Sequence, residues 1–177
     1  MPRLLLVDDE PSQLKALQRT LRGLCPDLHL DLALSGEEAL AHVRARAHDV
    51  IVADLRMPGM DGLTLLAQVA RWQPLAVTML LTGVADFATA QRALNETGIF
   101  RYLTKPWSDA ELLLTIREAF EHKFLEEEKA RLEALTRSQN AELKDLNANL
   151  EALVAERTEA LAQAHRSEEH TSELQSH

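Results

Sequence analysis

The chain is short of three things. It has a single cysteine, Cys25, in 177 residues. One cysteine closes no intramolecular disulfide and is compatible with a reducing compartment; Cys25 reads as a small buried hydrophobe. It has no apolar run near the ~20 residues of a membrane span. Met1-Pro2-Arg3 runs into only four apolar residues, Leu4–Val7, too few for the apolar region of a signal peptide. No membrane association and a cytoplasmic location are therefore expected. It is also short of positive charge, with 19 Lys and Arg against 28 Asp and Glu, a net charge of -9 and a pI of about 5.2. That argues against nucleic-acid binding through a basic surface, which works by displacing counterions. The seven histidines show no metal-ligand spacing, so surface positions are expected for them.

Glycine and proline are missing from one region altogether. All 6 of each lie at or before Pro106, and residues 107–177 contain neither. A stretch without breakers differs in kind from what precedes it. Before it, short apolar runs (Leu4–Val7, Leu28–Leu34, Val50–Ala53, Ala76–Leu81, Phe100–Leu103) alternate with segments of helical period. Leu14, Leu17, Leu21 and Leu24 form one stripe, and Ala39, Leu40 and Val43 a second. Leu63, Leu66 and Ala70 form a third, Phe87, Ala90 and Leu94 a fourth, and Leu113, Ile116 and Phe120 begin a fifth. Helix starts are marked by Pro11 at a first-turn position and by capping boxes at Ser35 with Glu38 and Ser108 with Glu111. Asp61 suits the cap of the third helix, and Trp107 is expected to pack where the last helix starts. Strands alternating with helices call for a parallel sheet covered on both faces. With right-handed crossovers this is a doubly wound, five-stranded α/β domain followed by a long C-terminal helix.

Ligands of such sheets sit at the carboxyl ends of the strands. Asp8, Asp9 and Glu10 follow the first strand, and Asp54 ends the third. Thr82 and Gly83 follow the fourth, and Thr104, Lys105 and Pro106 the fifth. Clustered carboxylates make a hard oxygen site suited to Mg²⁺, whose charge offsets their mutual repulsion. An aspartate there can attack a phosphoryl group and become an aspartyl phosphate, while an ammonium and a hydroxyl hold the other phosphoryl oxygens. Singly, each residue has a plainer reading: Asp54 as a cap, Lys105 as a surface lysine, Tyr102 as a half-buried strand aromatic. Together they point to one site.

Four fragments carry a resemblance. Leu5-Leu6-Val7-Asp8-Asp9-Glu10, Val52-Ala53-Asp54-Leu55-Arg56-Met57-Pro58-Gly59-Met60-Asp61-Gly62, Leu81-Thr82-Gly83 and Tyr102-Leu103-Thr104-Lys105-Pro106 occur in this order. They resemble the receiver domain of two-component response regulators, over about residues 2–122. The resemblance implies a flavodoxin-like strand order, 2-1-3-4-5, and phosphorelay signalling with a sensor histidine kinase as partner. It implies Asp54 as phospho-acceptor. Mg²⁺ would be held by Asp9, Asp54 and the backbone carbonyl of Arg56, with Asp8 acting through water. Lys105 would pair with the carboxylate or phosphoryl group. Thr82 and Tyr102 would be the switch residues, re-packing the face of helix 4, strand 5 and helix 5. The Lys105–Pro106 bond would be cis. Arg56 and Val84, each two residues past a site residue, are candidates to tune the lifetime of the phosphoryl group. The module itself would catalyse no more than its own phosphorylation and dephosphorylation.

Past the domain, residues 125, 128, 132, 135 and 139, then 143, 146, 150, 153, 157 and 160, step by three and four, with a stutter between 139 and 143. Leucines hold most positions; Glu128, Gln139 and Arg157 interrupt them. A helix over 108–165 would be ~87 Å long and is expected to form a parallel homodimer. The organisation expected is thus a receiver over 1–122, a coiled-coil signalling helix over 123–165 and an artefactual tail over 166–177. Arg166–Ser176 resembles an in-frame translation of a sequencing adapter, so the natural gene is expected to continue past about Ala164. The competing reading is a fragment of a receiver-regulated enzyme whose catalytic domain is missing: an HD-type cyclic-dinucleotide phosphodiesterase, a diguanylate cyclase or a hybrid kinase. A haloacid dehalogenase-like phosphatase would need Asp-x-Asp after the first strand, and Asp8-Asp9-Glu10 does not supply it.

Overall fold

The computed structural model describes residues 1–96 and 98–176; the side chains of Leu24 and of residues 93–96, Leu94 among them, lie outside the described residues. In order, the elements are β1 (Arg3–Val7), α1 (Pro11–Leu24), β2 (His29–Ala33), α2 (Gly36–Ala45), β3 (Val50–Asp54), α3 (Gly62–Trp72), β4 (Val77–Thr82), a 3-10 turn (Val84–Asp86), α4 (Phe87–Glu96), β5 (Arg101–Thr104) and α5 (Asp109–Gln175). The strands form one parallel sheet in the order β2-β1-β3-β4-β5.

Alternation along the strands builds two cores. Leu5, Val7, Ile51, Ala53 and Leu80 meet Ala39, Leu40 and Val43 of α2 and Leu65, Leu66 and Val69 of α3. Their neighbours Leu4, Leu6, Val50, Val52, Met79 and Leu81 meet Leu14, Leu17 and Leu21 of α1 and Leu112, Ile116 and Ala119 of α5. Leu5 and Leu6 are both fully buried, on opposite faces, so truncating either to alanine costs about 2–5 kcal/mol. This two-sided burial is why β1, β3 and β4 read as largely apolar runs, while the edge strands β2 and β5 are only partly buried and carry Asp31 and Arg101.

The helix starts take their expected forms. The Glu38 and Glu111 amides donate to the hydroxyls of Ser35 and Ser108, each at 3.1 Å. Glu38 also reaches back, accepting from the Leu34 amide at 2.7 Å. Pro11 opens α1, and Trp107 packs partly buried against the second core. Two expectations are corrected. Cys25 is only half-buried, because it lies in the α1–β2 connection rather than on the leucine stripe. His48 is buried, not on the surface: its Nε2 lies 2.9 Å from Asp31 Oδ2 and its amide donates to Gln73 Oε1 at 2.8 Å. Gln73 in turn donates to the carbonyls of Val43 and Arg46, both at 2.7 Å.

The residues divide into two compact units, Met1–Glu128 and from Lys129 onward. Within the first, Lys123 is buried and its Nζ meets Glu127 at 2.8 Å. In the second unit α5 runs through residues 166–175, past the expected end at 165. Nothing there breaks a helix, and Thr171 donates back to the Ser167 carbonyl. The leucines of this unit are exposed, with Leu150 at 49% and Leu146 at 56%.

Candidate functional site

The parallel register delivers four strand ends to one edge of the sheet. Asp8 leaves β1 with its amide bonded to the Ala33 carbonyl (3.2 Å), and its own Oδ1 accepts from the Glu10 amide at 2.9 Å. That turn fixes the direction of the Asp8 carboxylate, which is fully buried. Asp54 is the last residue of β3. The Leu55 amide continues the ladder to Leu81 O at 2.9 Å, and the Gly62 amide folds the following loop back onto Leu55 O at 3.0 Å. Asp61 caps α3 by accepting from Thr64 N at 2.7 Å. Across the sheet, the Lys105 amide bonds to Thr82 O (2.8 Å), and the Lys105–Pro106 bond is cis.

These elements bring Asp8, Asp9, Asp54 and Lys105 together. Carboxylate oxygens of the three acids lie within 4.8 Å of one another. Lys105 Nζ lies 3.0 Å from Asp8 Oδ2 and 3.1 Å from Asp54 Oδ1. Burial is the chief influence on Asp54 and raises its pKa; Lys105 opposes that, and the charges of Asp8 and Asp9 add to it. Burial also disfavours the charged form of Lys105, but its hydrogen bonds to Asp8 and Asp54 outweigh it and hold the ammonium above its ordinary range. Three carboxylates facing one ammonium keep an excess of negative charge on hard oxygens. That donor set fits a small divalent cation such as Mg²⁺.

The switch candidates Thr82 and Tyr102 lie on β4 and β5. Thr82 is fully buried, and its hydroxyl donates to the carbonyl of its own neighbour, Gly83, at 3.1 Å. Tyr102 is half-buried and packs edge-on against Phe87, ring centres 5.4 Å apart. Arg56 directs its side chain to Asp86: Nε donates to Oδ2 at 3.0 Å and Nη2 to Oδ1. Val84 is 79% exposed. A cleft of about 580 Å³ opens beside the site, between the Leu55–Gly59 segment and Asp86 and Thr89. Asp86 and Phe87 are the neighbours that sequence reasoning missed. Asp86 lies 30 residues from Arg56, and no local pattern signals a pairing over that distance.

Residues 4–117, more than half of the chain, match the family described as "Response regulator receiver domain". The chain belongs to this family. Receiver domains serve phosphorelay signal transduction in two-component systems, as regulatory modules that take a phosphoryl group from sensor histidine kinases, typically at an acidic Mg²⁺-binding pocket. Among curated proteins, the receiver is 34% identical over 129 residues to "Hydrogenase transcriptional regulatory protein HoxA" of Cupriavidus necator, covering 73% of this chain and 26% of that protein. The chain thus spans about a quarter of the length of the curated relatives it matches. Among solved structures it is similar to the signal receiver domain of an HD domain-containing protein from Pseudomonas fluorescens Pf-5 (40% identity, TM-score 0.66, 72% of this chain and 92% of that one). It is also similar to a structure described as an adenylate cyclase from Rhodopirellula baltica (36% identity, TM-score 0.69, 73% of this chain and 95% of that one). Among the described residues, no helix is long and apolar enough to cross a membrane.

Proposed function

We propose that Asp54 is the phospho-acceptor of this receiver. The observation that carries the reading is the cluster of Asp8, Asp9 and Asp54 at the carboxyl edge of the sheet, with the ammonium of Lys105 on Asp8 and Asp54. Asp9, Asp54 and the backbone carbonyl of Arg56 would hold Mg²⁺, with Asp8 engaged through water. The ion, when bound, supplies positive charge against the acids and the phosphoryl oxygens. The residues do the rest. Asp54 attacks phosphorus through a carboxylate oxygen, and the bond from phosphorus to the kinase histidine breaks. Lys105 keeps its proton and holds the charge on the acceptor side. Thr82 then turns its hydroxyl from Gly83 to a phosphoryl oxygen, and Tyr102 moves inward behind it.

The re-packing alters the face of α4, β5 and α5, a two-state equilibrium for which a coupling of about 1–3 kcal/mol is typical. We assign residues 1–122 to the receiver, 123–165 to a helical linker that receives the signal, and 166–177 to no function. The exposed leucines at heptad spacing suit a parallel homodimer with a second copy of the chain. The module binds neither nucleic acid nor membrane and works in the cytoplasm. It acts as a regulator, with no chemistry beyond its own phosphorylation and dephosphorylation. A second reading has one observation in its favour: a receiver 40% identical to this one belongs to an HD domain-containing protein. On that reading the linker drives an enzyme, either of the HD phosphodiesterase class or a diguanylate cyclase or hybrid kinase.

The phospho-acceptor reading is tested with labelled acetyl phosphate. Label should enter only with Mg²⁺ and should show the alkali lability of an acyl phosphate. Label that enters equally in the presence of a chelator, or that survives alkali, contradicts it.

A further inference from the structure

The Arg56–Asp86 contact joins two segments that flank the acceptor. Arg56 lies in the loop directly after Asp54, and that loop is pinned by the Leu55 and Gly62 amides. Asp86 closes the 3-10 turn that follows Thr82 and Gly83. The two bonds from Arg56 use both oxygens of Asp86, a bidentate geometry that fixes orientation as well as distance. The Asp86 side chain is 13% exposed, whereas that of Arg56 is 78% exposed. The contact favours the charged forms of both partners, lowering Asp86 and raising Arg56.

The turn is tied to Thr82 by a shared acceptor. The Gly83 carbonyl takes one hydrogen bond from the Thr82 hydroxyl and another from the Asp86 amide, each at 3.1 Å. A continuous path therefore runs from the Thr82 hydroxyl through Gly83 and Asp86 to Arg56, and so to the loop behind Asp54. For Thr82 to turn toward a phosphoryl group it must leave the Gly83 carbonyl, and the turn that carries this carbonyl is held by Arg56.

We propose that the Arg56–Asp86 pair is a latch that holds this turn in its unphosphorylated position and restrains Thr82 from reaching the phosphoryl group. Asp86 is then a positioning residue, acting through the turn. The inference rests on the phospho-acceptor reading above. Because the pair is largely solvent-facing on the arginine side, its effect is a few-fold and weakens with salt.

The test is binding of beryllofluoride, a phosphoryl mimic, with excess Mg²⁺ in the 177-residue wild type, R56Q, D86N and the double variant, followed by fluorine NMR. Neither substitution touches the backbone carbonyl of Arg56. The latch predicts that R56Q and D86N each lower the half-saturating concentration a few-fold. The double variant should shift no further than either single one, and high salt should narrow the gap to wild type. Simple charge effects predict opposite signs: R56Q removes a cation and weakens anion binding, while D86N removes an anion and strengthens it. Opposite shifts, additive shifts, or no shift at all against a binding wild type overturn the latch alone. A wild type that binds no beryllofluoride overturns the phospho-acceptor reading together with it.

Discussion

Gly62 is where the fold and the site press hardest on each other. It opens α3 directly against the end of β3. A Cβ added there would sit 2.3 Å from the Asp54 carbonyl oxygen, 3.0 Å from its carbonyl carbon and 3.1 Å from Leu55 Cα. All three are backbone atoms, so no side chain can swing away. The backbone of Gly62 is outside the left-handed region, where among the described residues only Gly59 and Gly98 lie, so the penalty is steric. Alanine would recover about 0.5–1 kcal/mol of helix preference, but overpacking against rigid backbone costs about 1–3 kcal/mol. The clash wins, and relief comes by displacing either α3 or the end of β3. Gly62→Ala should therefore lower the urea midpoint and also reduce phosphorylation by acetyl phosphate, since Asp54 moves with its backbone. Gly83→Ala and Gly23→Ala are the controls, because an added Cβ at either meets nothing within 4 Å. Gly23→Ala, near the end of α1, should stabilise by about 0.5–1 kcal/mol. A Gly62→Ala protein as stable as Gly83→Ala, with full phosphorylation, would refute the reasoning.

Three further predictions concern charge and the second unit. Burial pushes the pKa of His48 down against its bond to Asp31, so below about pH 6.5 the unfolded chain binds a proton that the folded chain resists. Asp31 is lowered because its bonds to His48 and Arg3 and the charge of Arg46 outweigh burial, so its contribution is present above the usual carboxylate range and lost as pH falls through the folded value. Both signs destabilise the acid side, and His48→Gln should flatten the fall in urea midpoint between about pH 7 and 5; an unchanged slope would contradict this. Lys105→Met leaves three carboxylates without their ammonium, so Mg²⁺ should bind more tightly, by about tenfold for one partly screened charge; calorimetry showing equal or weaker binding counts against the charge balance described. Leu146→Lys with Leu150→Lys should turn a dimer into a monomer in sedimentation velocity with the thermal unfolding of the receiver unchanged, whereas a wild type that is monomeric at every concentration sinks the coiled-coil assignment.

Much of the fold was legible because its signals are local. The three central strands are buried on both faces and so must be apolar, the two edge strands still show apolar residues in alternation, and the five runs mark the five strands to within a residue or two. The serines at 35 and 108 cap their helices because a hydroxyl three residues from a free amide can reach it. The acid cluster and Lys105 were legible because strand ends of a parallel sheet share one edge. Most of the missing parts are long-range. His48 looks like a surface histidine until Asp31, 17 residues away, is seen to meet its ring. Asp86 looks like a loop acid until Arg56 grips it. The position of the Thr82 hydroxyl depends on a rotamer that no spacing encodes.

The most direct measurement of the central claim is the intact mass of wild type and Asp54→Asn after incubation with acetyl phosphate and Mg²⁺. The account predicts one phosphoryl adduct on the wild type and none on the variant. Folded, Mg²⁺-binding wild type without an adduct, or an adduct that persists in Asp54→Asn, would contradict it.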